Sequence, residues 1–209
     1  MGKKTKPENM SLIGDLYKLK KKDIWKAADV LVDAYTEDPM LKKIFTDVDK
    51  RRIQFEVMLR FCVKYGNLYS PSENFEGVMA IAPHDKDMTV WRTFRSGGFF
   101  LGMKIASVAK LMAPTTKLME EAKKDLNLGT YIYLFIIGVS LEMQGKGFGG
   151  KMLRAIVEKA EIERKPMYLE TQNEKNVSLY EKYGFYVVKK IDLPDPLNLP
   201  MFLMVRDAK

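Results

Sequence analysis

A glycine-rich stretch at residues 138–160, GVSLEMQGKGFGGKMLRAIVEKA, carries the residue types that bind phosphate groups. Gly145, Gly147 and Gly150 are spaced as G-x-G-x-x-G, and Gly145, Gly150 and Lys151 also fit G-x-x-x-x-G-K. Glycines let a backbone approach a phosphate closely, and the unpaired N–H groups that open a helix can donate to it. The stretch therefore predicts a phosphate-binding loop, which three known loop types could explain.

Two of these types fit poorly. The P-loop of nucleoside-triphosphate enzymes needs a hydroxyl after the lysine to hold magnesium, and Met152 stands there. The dinucleotide loop is favoured by Glu170, which lies twenty residues after Gly150, where a ribose-binding acid is expected. It is disfavoured because SLEMQ separates the strand from the first glycine, and because only 39 residues follow Glu170, too few for the remaining βα units.

Hydrophobic periodicity predicts the elements that position this loop. In chain order they are helices at 24–38 and 50–64, strands at NLYS and FEGVMAIAP, a helical insert at 91–126, a buried strand at TYIYLFIIGVS, the helix after the loop, a strand at PMYLETQ, a short helix at NVSLYEKYGF, and strands at FYVVKKI and LPMFLMVRD. Asn176 is the expected N-cap of the short helix, and Gly184 its end. The pattern predicts an α/β fold of the α+β type.

Composition limits the other classes of site. The 209 residues include one cysteine, Cys62, and one histidine, His84, so we expect neither a disulfide framework nor a metal centre, and a reduced cytoplasmic setting. The formal charge is +8, but residues 1–22 alone carry seven lysines against two acids. We therefore expect a flexible basic leader at 1–22 and a single domain at 23–209. Charge held in a leader disfavours nucleic-acid binding, and no apolar run is long enough to predict a membrane partner.

The third loop type binds the diphosphate of coenzyme A, and here the sequence resembles the GCN5-related N-acetyltransferase (GNAT) family. Residues 144–149, QGKGFG, fit that family's Q/R-x-x-G-x-G/A loop. The later order of L-E-T, Asn176 and Y-E-x-x-G-F is most similar to the puromycin-type branch, as is the early AYTEDP. The resemblance implies a GNAT-like mixed, mostly antiparallel central sheet flanked by helices. The helical insert at 91–126 has no counterpart in the resemblance. It also implies acetyl-CoA as co-substrate and no metal.

The resemblance assigns the site residues as well. Loop N–H groups would hold the diphosphate, the preceding strand would bind the pantetheine arm, and Tyr180 lies at the family's general-acid position. A phenol with a pKa of about 10 stays protonated at neutral pH and can donate to the leaving thiolate. The expected cofactor-binding set is Gly138, Val139, Ser140, Gln144, Gly145, Lys146, Gly147, Phe148, Gly149, Gly150, Asn176 and Tyr180.

The general base stays open at this point. Many relatives place a glutamate eleven residues before the loop's first Gln, and Tyr133 stands at that position here. Glu170, on the next strand and close to the expected thioester, is the nearest alternative and is taken as the second catalytic residue. Tyr133, His84 or a water chain remain candidates, and an acceptor that is already neutral would need no dedicated base.

The expected activity is direct transfer of the acetyl group of acetyl-CoA to a primary amine of a small molecule, by a monomer or homodimer. The alternative is an acetyl-CoA-binding module, or a protein N-acetyltransferase that docks a partner protein through the basic leader. Tyr180 favours an enzyme, because a binding module has no need of a phenol at the acid position.

Overall fold

The computed structural model describes residues 13–45 and 47–208. The first twelve residues of the predicted leader lie outside this description. The remainder of the leader differs from the expectation of flexibility, because Ile13, Leu16 and Leu19 are at most 4% exposed. Lysines follow closely in the sequence, with Lys18 and Lys20 on either side of Leu19, so the charge count concealed a segment that packs on the sheet.

Within the described residues, seven strands form one sheet in the order β1-β2-β3-β4-β5-β7-β6. Neighbouring strands are antiparallel except for β4 and β5, which run parallel. The predicted mixed, mostly antiparallel sheet is therefore confirmed. The strands are β1 (Tyr17–Lys18), β2 (Asn67–Ser70), β3 (Gly77–Ala82), β4 (Ile132–Val139), β5 (Met167–Thr171), β6 (Tyr186–Asp192) and β7 (Pro200–Arg206).

Strands β4 and β5 separate soon after they begin. They pair only at Ile132 with Met167 and at Tyr133 with Tyr168. The register of β4 against β3 shifts just beyond this point, because Leu134 opposes Ile81 while Ile136 opposes Ala80. Phe135 is thus the extra residue of a β-bulge, which bends β4 and increases its twist. The result is a wedge-shaped gap between β4 and β5 in the middle of the sheet.

Eight α-helices flank this sheet in the described part of the chain. Two short turns of 3-10 helix lie before α1 and between β4 and the glycine loop. The helices are α1 (Ile24–Ala34), α2 (Pro39–Ile44), α3 (Val48–Tyr65), α4 (Val90–Arg95), α5 (Phe99–Lys104), α6 (Ala106–Asp125), α7 (Phe148–Glu163) and α8 (Glu174–Glu181).

Two of the expected helix boundaries were wrong. Asp38 and Pro39 were taken as the end of the first helix, yet they begin α2, with the Asp38 carboxylate accepting from the N–H of Leu41 at 2.8 Å. Proline suits the first position of a helix because the N–H it lacks would have no partner there. The N-cap of α8 is Asn173, whose side chain accepts from the N–H of Lys175 at 2.9 Å.

The core lies on both faces of the sheet. One buried cluster includes Leu31 of α1, Phe55 and Leu59 of α3, and the sheet face beneath them. The other includes Leu153 and Ile156 of α7 and covers the opposite face. The insert between β3 and β4 consists of α4, α5 and α6, and it extends the α1–α3 side of the sheet. In the described residues no helix is both long and apolar enough to cross a bilayer.

Candidate functional site

The glycine loop leads from β4 into the first turn of α7. Gly145 and Gly147 have φ angles of 75° and 87°, a region that residues with a Cβ seldom adopt. The first bond of the helix runs from the N–H of Lys151 to the carbonyl of Gly147, at 2.9 Å. The N–H groups of Phe148, Gly149 and Gly150 therefore have no intrahelical acceptor and stand at the positive end of the helix dipole.

The space around this loop is open on the side where a ligand would lie. A Cβ built on Gly145 or Gly147 would meet no atom within 4 Å. Gly150 is different, because a Cβ there would lie 2.9 Å from the Tyr183 hydroxyl, so this glycine makes room for a side chain of the fold. The loop thus fits a diphosphate at its free N–H groups, and the fit depends on backbone conformation.

The two lysines of the loop point in different directions. Lys146 is exposed, with its Nζ 3.7 Å from the sulfur of Met143. Lys151 instead donates to the carbonyl of Pro71 at 2.8 Å, beside the Glu76 carboxyl. Burial acts to raise the pKa of Glu76, but the hydrogen bonds from Ser72 and the charge of Lys151 outweigh it, so this pKa is lowered. Lys146 is therefore the loop lysine available to an anion.

The edge of β4 that borders the gap carries main-chain groups with no β5 partner. The N–H of Ser140 donates to the carbonyl of Glu76 at 3.0 Å, so backbone groups of Ser140 and, by alternation, Gly138 are directed toward β3. Those of Ile137 and Val139 are directed into the gap. Of the three strand residues expected to contact the cofactor, only Val139 directs its backbone groups into the gap. Ile137, which the sequence prediction did not include, does the same.

Two side chains already reach these gap-facing carbonyls. The Tyr35 hydroxyl donates to Ile137 at 2.9 Å, and the Gln144 side-chain amide donates to Val139 at 3.1 Å. Tyr35 comes this close because Gly138 lets α1 approach β4, since a Cβ on Gly138 would lie 2.9 Å from the Tyr35 ring. The glycine of the GVS segment thus positions a tyrosine at the gap.

Tyr180 projects from α8 beside the same gap. It is 8% exposed, and its ring packs edge-on against Phe185 with 5.9 Å between centroids. Burial raises the pKa of Tyr180 to about 12, so its phenol is fully protonated at neutral pH. Its hydroxyl forms no hydrogen bond with other described residues, although it lies close enough to Tyr35 for the two to interact electrostatically. It is therefore a buried proton donor without a fixed acceptor.

Asn176, expected both as N-cap and as cofactor contact, lies one turn before Tyr180 on α8. The capping part of that prediction was wrong, since Asn173 holds the cap. The side-chain amide of Asn176 donates to the Thr171 hydroxyl at 3.4 Å and remains half-buried beside the end of β5. The expected contact of Asn176 with the cofactor stays a prediction.

Glu170 lies on β5, and two phenols bind its carboxylate. The hydroxyls of Tyr133 and Tyr168 donate to its two oxygens, each at 2.6 Å. Burial raises the pKa of Glu170 above its ordinary value, while the two phenols and the nearby Lys123 act in the opposite direction. Its side chain is still partly exposed. Such a carboxyl binds a proton more readily than a carboxyl on the surface.

The other candidate bases are placed less favourably. Tyr133 donates to Glu170, and burial with the neighbouring carboxylate raises its pKa well above that of a free phenol, so it keeps its proton. His84 packs against the Tyr131 ring at 5.4 Å between centroids, and no hydrogen bond joins it to Glu170 in the described structure. Lys123 of α6 lies 5.3 Å from the centre of the Tyr133 ring, a contact that the sequence did not predict.

A cavity of about 820 Å³ lies against the gap on the α1–α3 side. Its walls come mainly from α2, α3 and the insert, and they are largely apolar, with seven of the fourteen methionines among them. Its acidic lining residues are Asp38, Glu120 and Glu170. Burial raises the pKa of Asp38, and the Gln172 amide donates to its carboxylate. The insert therefore forms part of a pocket wall.

Together, these elements form a loop for an anion, a strand edge with free backbone groups, a phenol and a carboxylate around one gap. The described residues contain no group of three or more His, Cys, Asp or Glu side chains arranged to hold a metal. The combination is that of an acyltransferase.

Comparisons with known proteins support the same class of enzyme. Residues 116–187 match the family model described as Acetyltransferase (GNAT) domain. An uncharacterized N-acetyltransferase of Schizosaccharomyces pombe is 26% identical over 207 residues, spanning 90% of this chain and 81% of the relative. The protein is therefore an acetyl-CoA-dependent acetyltransferase, as the sequence predicted, and residues 116–187 are similar to a GNAT domain.

Solved structures agree with this fold. A Corynebacterium glutamicum protein described as histone acetyltransferase HPA2 and related acetyltransferase has a TM-score of 0.62 at 17% identity, covering 93% of this chain and 96% of that one. The C-terminal condensation domain of Ebony, solved with β-alanyl-dopamine, has a TM-score of 0.67 at 7% identity, covering 93% and 98%. At these identities the likeness concerns the fold alone.

Proposed function

We propose that this enzyme transfers the acetyl group of acetyl-CoA directly to the primary amine of a small molecule with an apolar body. The observation that carries the proposal is the position of Glu170, which lines the acceptor cavity and lies beside the β4–β5 gap. An amine held there would have its nitrogen near a carboxylate and its body against apolar walls.

Backbone groups account for cofactor binding in this proposal. The N–H groups from Gly145 to Gly150 would bind the diphosphate, with Lys146 adding positive charge. Val139 and Ile137 would offer backbone groups to the pantetheine arm. Gln144 would support them, because its amide already bonds to the Val139 carbonyl at 3.1 Å. Acetyl-CoA supplies an activated thioester whose acyl carbon an amine can attack.

Two side chains would move protons. Glu170, whose pKa is raised by burial, would take a proton from the incoming ammonium group. The Tyr180 phenol would give its proton to the departing sulfur, and its buried position keeps that proton in place until then. Asn176 would contact the cofactor arm from α8. The acetyl group leaves sulfur for nitrogen, so the bond broken and the bond formed balance without a redox partner.

The shape of the cavity supports a small acceptor. Methionine side chains adapt to ligands of different outline, so these walls favour a range of apolar amines over one rigid substrate. The order of L-E-T, Asn176 and Y-E-x-x-G-F further leads us to place the chain in the puromycin-type branch. Acetylation of a protein terminus remains the alternative, and a panel of apolar amines beside short peptides separates the two.

The test compares Tyr180→Phe with Tyr183→Phe, two identical substitutions three residues apart. Thiol release from acetyl-CoA in the presence of an amine panel gives kcat, and calorimetry gives acetyl-CoA affinity. We expect Tyr180→Phe to lower kcat by about 10²–10⁴-fold without weakening acetyl-CoA binding, and Tyr183→Phe to retain kcat. Equal kcat values for the two variants would remove Tyr180 as the acid. Acetyl-CoA binding without any amine acetylated would instead favour a binding module.

A further inference from the structure

The outer surface of the insert joins exposed apolar side chains with an excess of positive charge. Residues 88–119 contain five basic residues and no Asp or Glu. Exposed large apolar side chains within α4 and α5 are Val90 at 75%, Trp91 at 63%, Phe94 at 50%, Phe100 at 77% and Met103 at 60%. Isolated apolar residues are normal on a surface, whereas a contiguous group of this kind marks an interaction site.

Ring contacts show that these aromatic residues form one array. Trp91 stacks on Phe94 at 5.6 Å between centroids, and Phe94 meets Phe99 at 5.7 Å. Phe99 then meets Phe100 at 5.6 Å, which joins α4 to α5. The exposure of Trp91, Phe94 and Phe100 shows that one side of α4 and α5 faces solvent. Val90, Phe99 and Met103 also line the cavity.

A basic groove adjoins this array. Its volume is about 310 Å³, and its lining includes Lys21, Arg60, Lys64, Arg95 and the aromatic Phe94, without any carboxylate. Glu56, the ion-pair partner of Arg60, lies 3.6 Å from its guanidinium group. The groove lining itself carries four basic side chains and no carboxylate, a balance that suits a phosphate group.

We propose that this insert surface, defined as Val90, Trp91, Phe94, Phe100 and Met103 together with the basic groove, docks on an anionic lipid membrane. Aromatic side chains suit the boundary between headgroups and acyl chains, and basic residues attract an anionic leaflet. The groove would hold a lipid phosphate beside the inserted Phe94. This inference differs from the sequence expectation of no membrane partner, and it does not depend on the identity of the acceptor amine.

Charge argues against a second copy of the chain as the occupant. A two-fold interface brings the same patch of both subunits together. Here that arrangement would place an acid-free basic surface against itself, and like charges facing each other disfavour association. An anionic bilayer provides the complementary charge over the whole patch, and it also accepts the apolar side chains between the cations.

Tryptophan fluorescence gives a direct test, because the chain has only Trp25 and Trp91. In the Trp25→Phe variant all tryptophan emission comes from Trp91, and in Trp91→Phe it comes from Trp25. Phosphatidylcholine vesicles with about one third phosphatidylserine should shift the Trp91 emission to shorter wavelength, and pure phosphatidylcholine should not. Trp25 should not respond. No response from Trp91, or the same response from both residues, would overturn the proposal.

Charge reversal on one helix gives a matched pair. Lys64→Glu alters the groove, and Lys50→Glu makes the same change near the other end of α3, at an exposed lysine. Neither residue belongs to the acetyl-transfer site, and the basic leader is identical in both. We expect Lys64→Glu to weaken vesicle cosedimentation at least about fivefold and Lys50→Glu to leave it unchanged. Equal weakening of vesicle binding by both charge reversals would mean that the net charge of the protein, and not this surface, binds the vesicles. If the wild-type protein is a dimer in solution and the Trp91→Ser, Phe100→Ser double variant is a monomer, the surface binds a second copy of the chain. Either result would refute lipid docking.

Discussion

Replacing Gly147 by glutamate tests the phosphate loop most directly. A glutamate at this position would have to adopt a left-handed backbone conformation, which costs about 1–2 kcal/mol of strain. Its Cβ would not clash, because no atom lies within 4 Å of it. Its carboxylate would stand about 5 Å from a bound diphosphate, which at an effective dielectric constant of about 20 disfavours binding by about 3 kcal/mol per charge pair. We therefore expect acetyl-CoA to bind roughly a hundredfold more weakly.

Thermal melting converts this difference into a measurable shift. At a hundred times its dissociation constant, acetyl-CoA should stabilise the wild-type protein by about 2.7 kcal/mol. For a chain of this size that amounts to a rise in Tm of roughly 5–10 °C. At the same concentration, the Gly147→Glu protein should gain only about 0.4 kcal/mol, a rise of roughly 1 °C.

The control is Gly129→Glu. Gly129 also has a positive φ, of 64°, and a Cβ there also meets no atom within 4 Å. It precedes β4, away from the loop, so this variant carries the same backbone strain and the same added charge. Both variants should melt below the wild type without ligand, and only Gly147→Glu should lose the response to acetyl-CoA. If the two variants respond alike, the reasoning about the loop is refuted.

Three further outcomes follow from the structure. Burial raises the pKa of Glu170 in the folded protein, so ionisation of this carboxyl disfavours folding as the pH rises through that pKa. The Glu170→Gln protein should therefore melt at a higher temperature than wild type at alkaline pH, and this difference in Tm should disappear below the ordinary pKa of 4.5. A difference in Tm that does not depend on pH would contradict the raised pKa. The Gly138→Ala substitution should lower the free energy of unfolding in urea by about 1–3 kcal/mol, because the added Cβ would lie 2.9 Å from atoms of α1. The control Gly102→Ala lies in α5, where an added Cβ meets no atom within 4 Å, and it should leave the free energy of unfolding unchanged or raise it. Cys62 is fully buried with its pKa raised to about 12, so iodoacetamide should alkylate it only after denaturation, and rapid labelling of the native protein would contradict that burial.

The sequence predicted most of the fold because its signals were local. The buried run before the loop, the glycines and the apolar face of α7 each depend on neighbours within a few residues. Two predicted helix boundaries were wrong, the one at Asp38 and the one at Asn173. At such a boundary more than one residue could serve as the helix cap, and packing decides which of them does. The short strand at Tyr17–Lys18 was missed because residues 17–22 contain four lysines, which made the whole segment resemble a charged leader.

The site was less predictable, because it joins residues that are distant in the chain. Tyr35 reaches the carbonyl of Ile137, a residue 102 positions later, and the signal for this contact was only the AYTEDP segment. Lys123 approaches Tyr133 from an insert that matched no known pattern. The gap-facing residues of β4 follow from strand alternation, but their direction depends on the register with β3, which sequence periodicity alone does not define.

The relation between Tyr133 and Glu170 shows why position-by-position transfer of a catalytic residue fails here while its chemistry can persist. In the parallel pair of β4 and β5, Tyr133 lies opposite Tyr168, and Glu170 follows Tyr168 by two residues. Side chains two apart on a strand share a face, so all three point to the same side of the sheet. A carboxylate on β5 therefore occupies the neighbourhood that a glutamate at position 133 would have reached, and the phenol at 133 donates to it at 2.6 Å.

If Glu170 is the base, Tyr133→Phe removes a hydrogen bond that favours the ionised carboxylate, so the pKa of Glu170 rises and the acidic limb of the kcat profile moves to higher pH. The Tyr65→Phe protein, altered at a tyrosine outside this cluster, should keep the wild-type limb. An unmoved limb in Tyr133→Phe would mean that proton removal does not pass through Glu170.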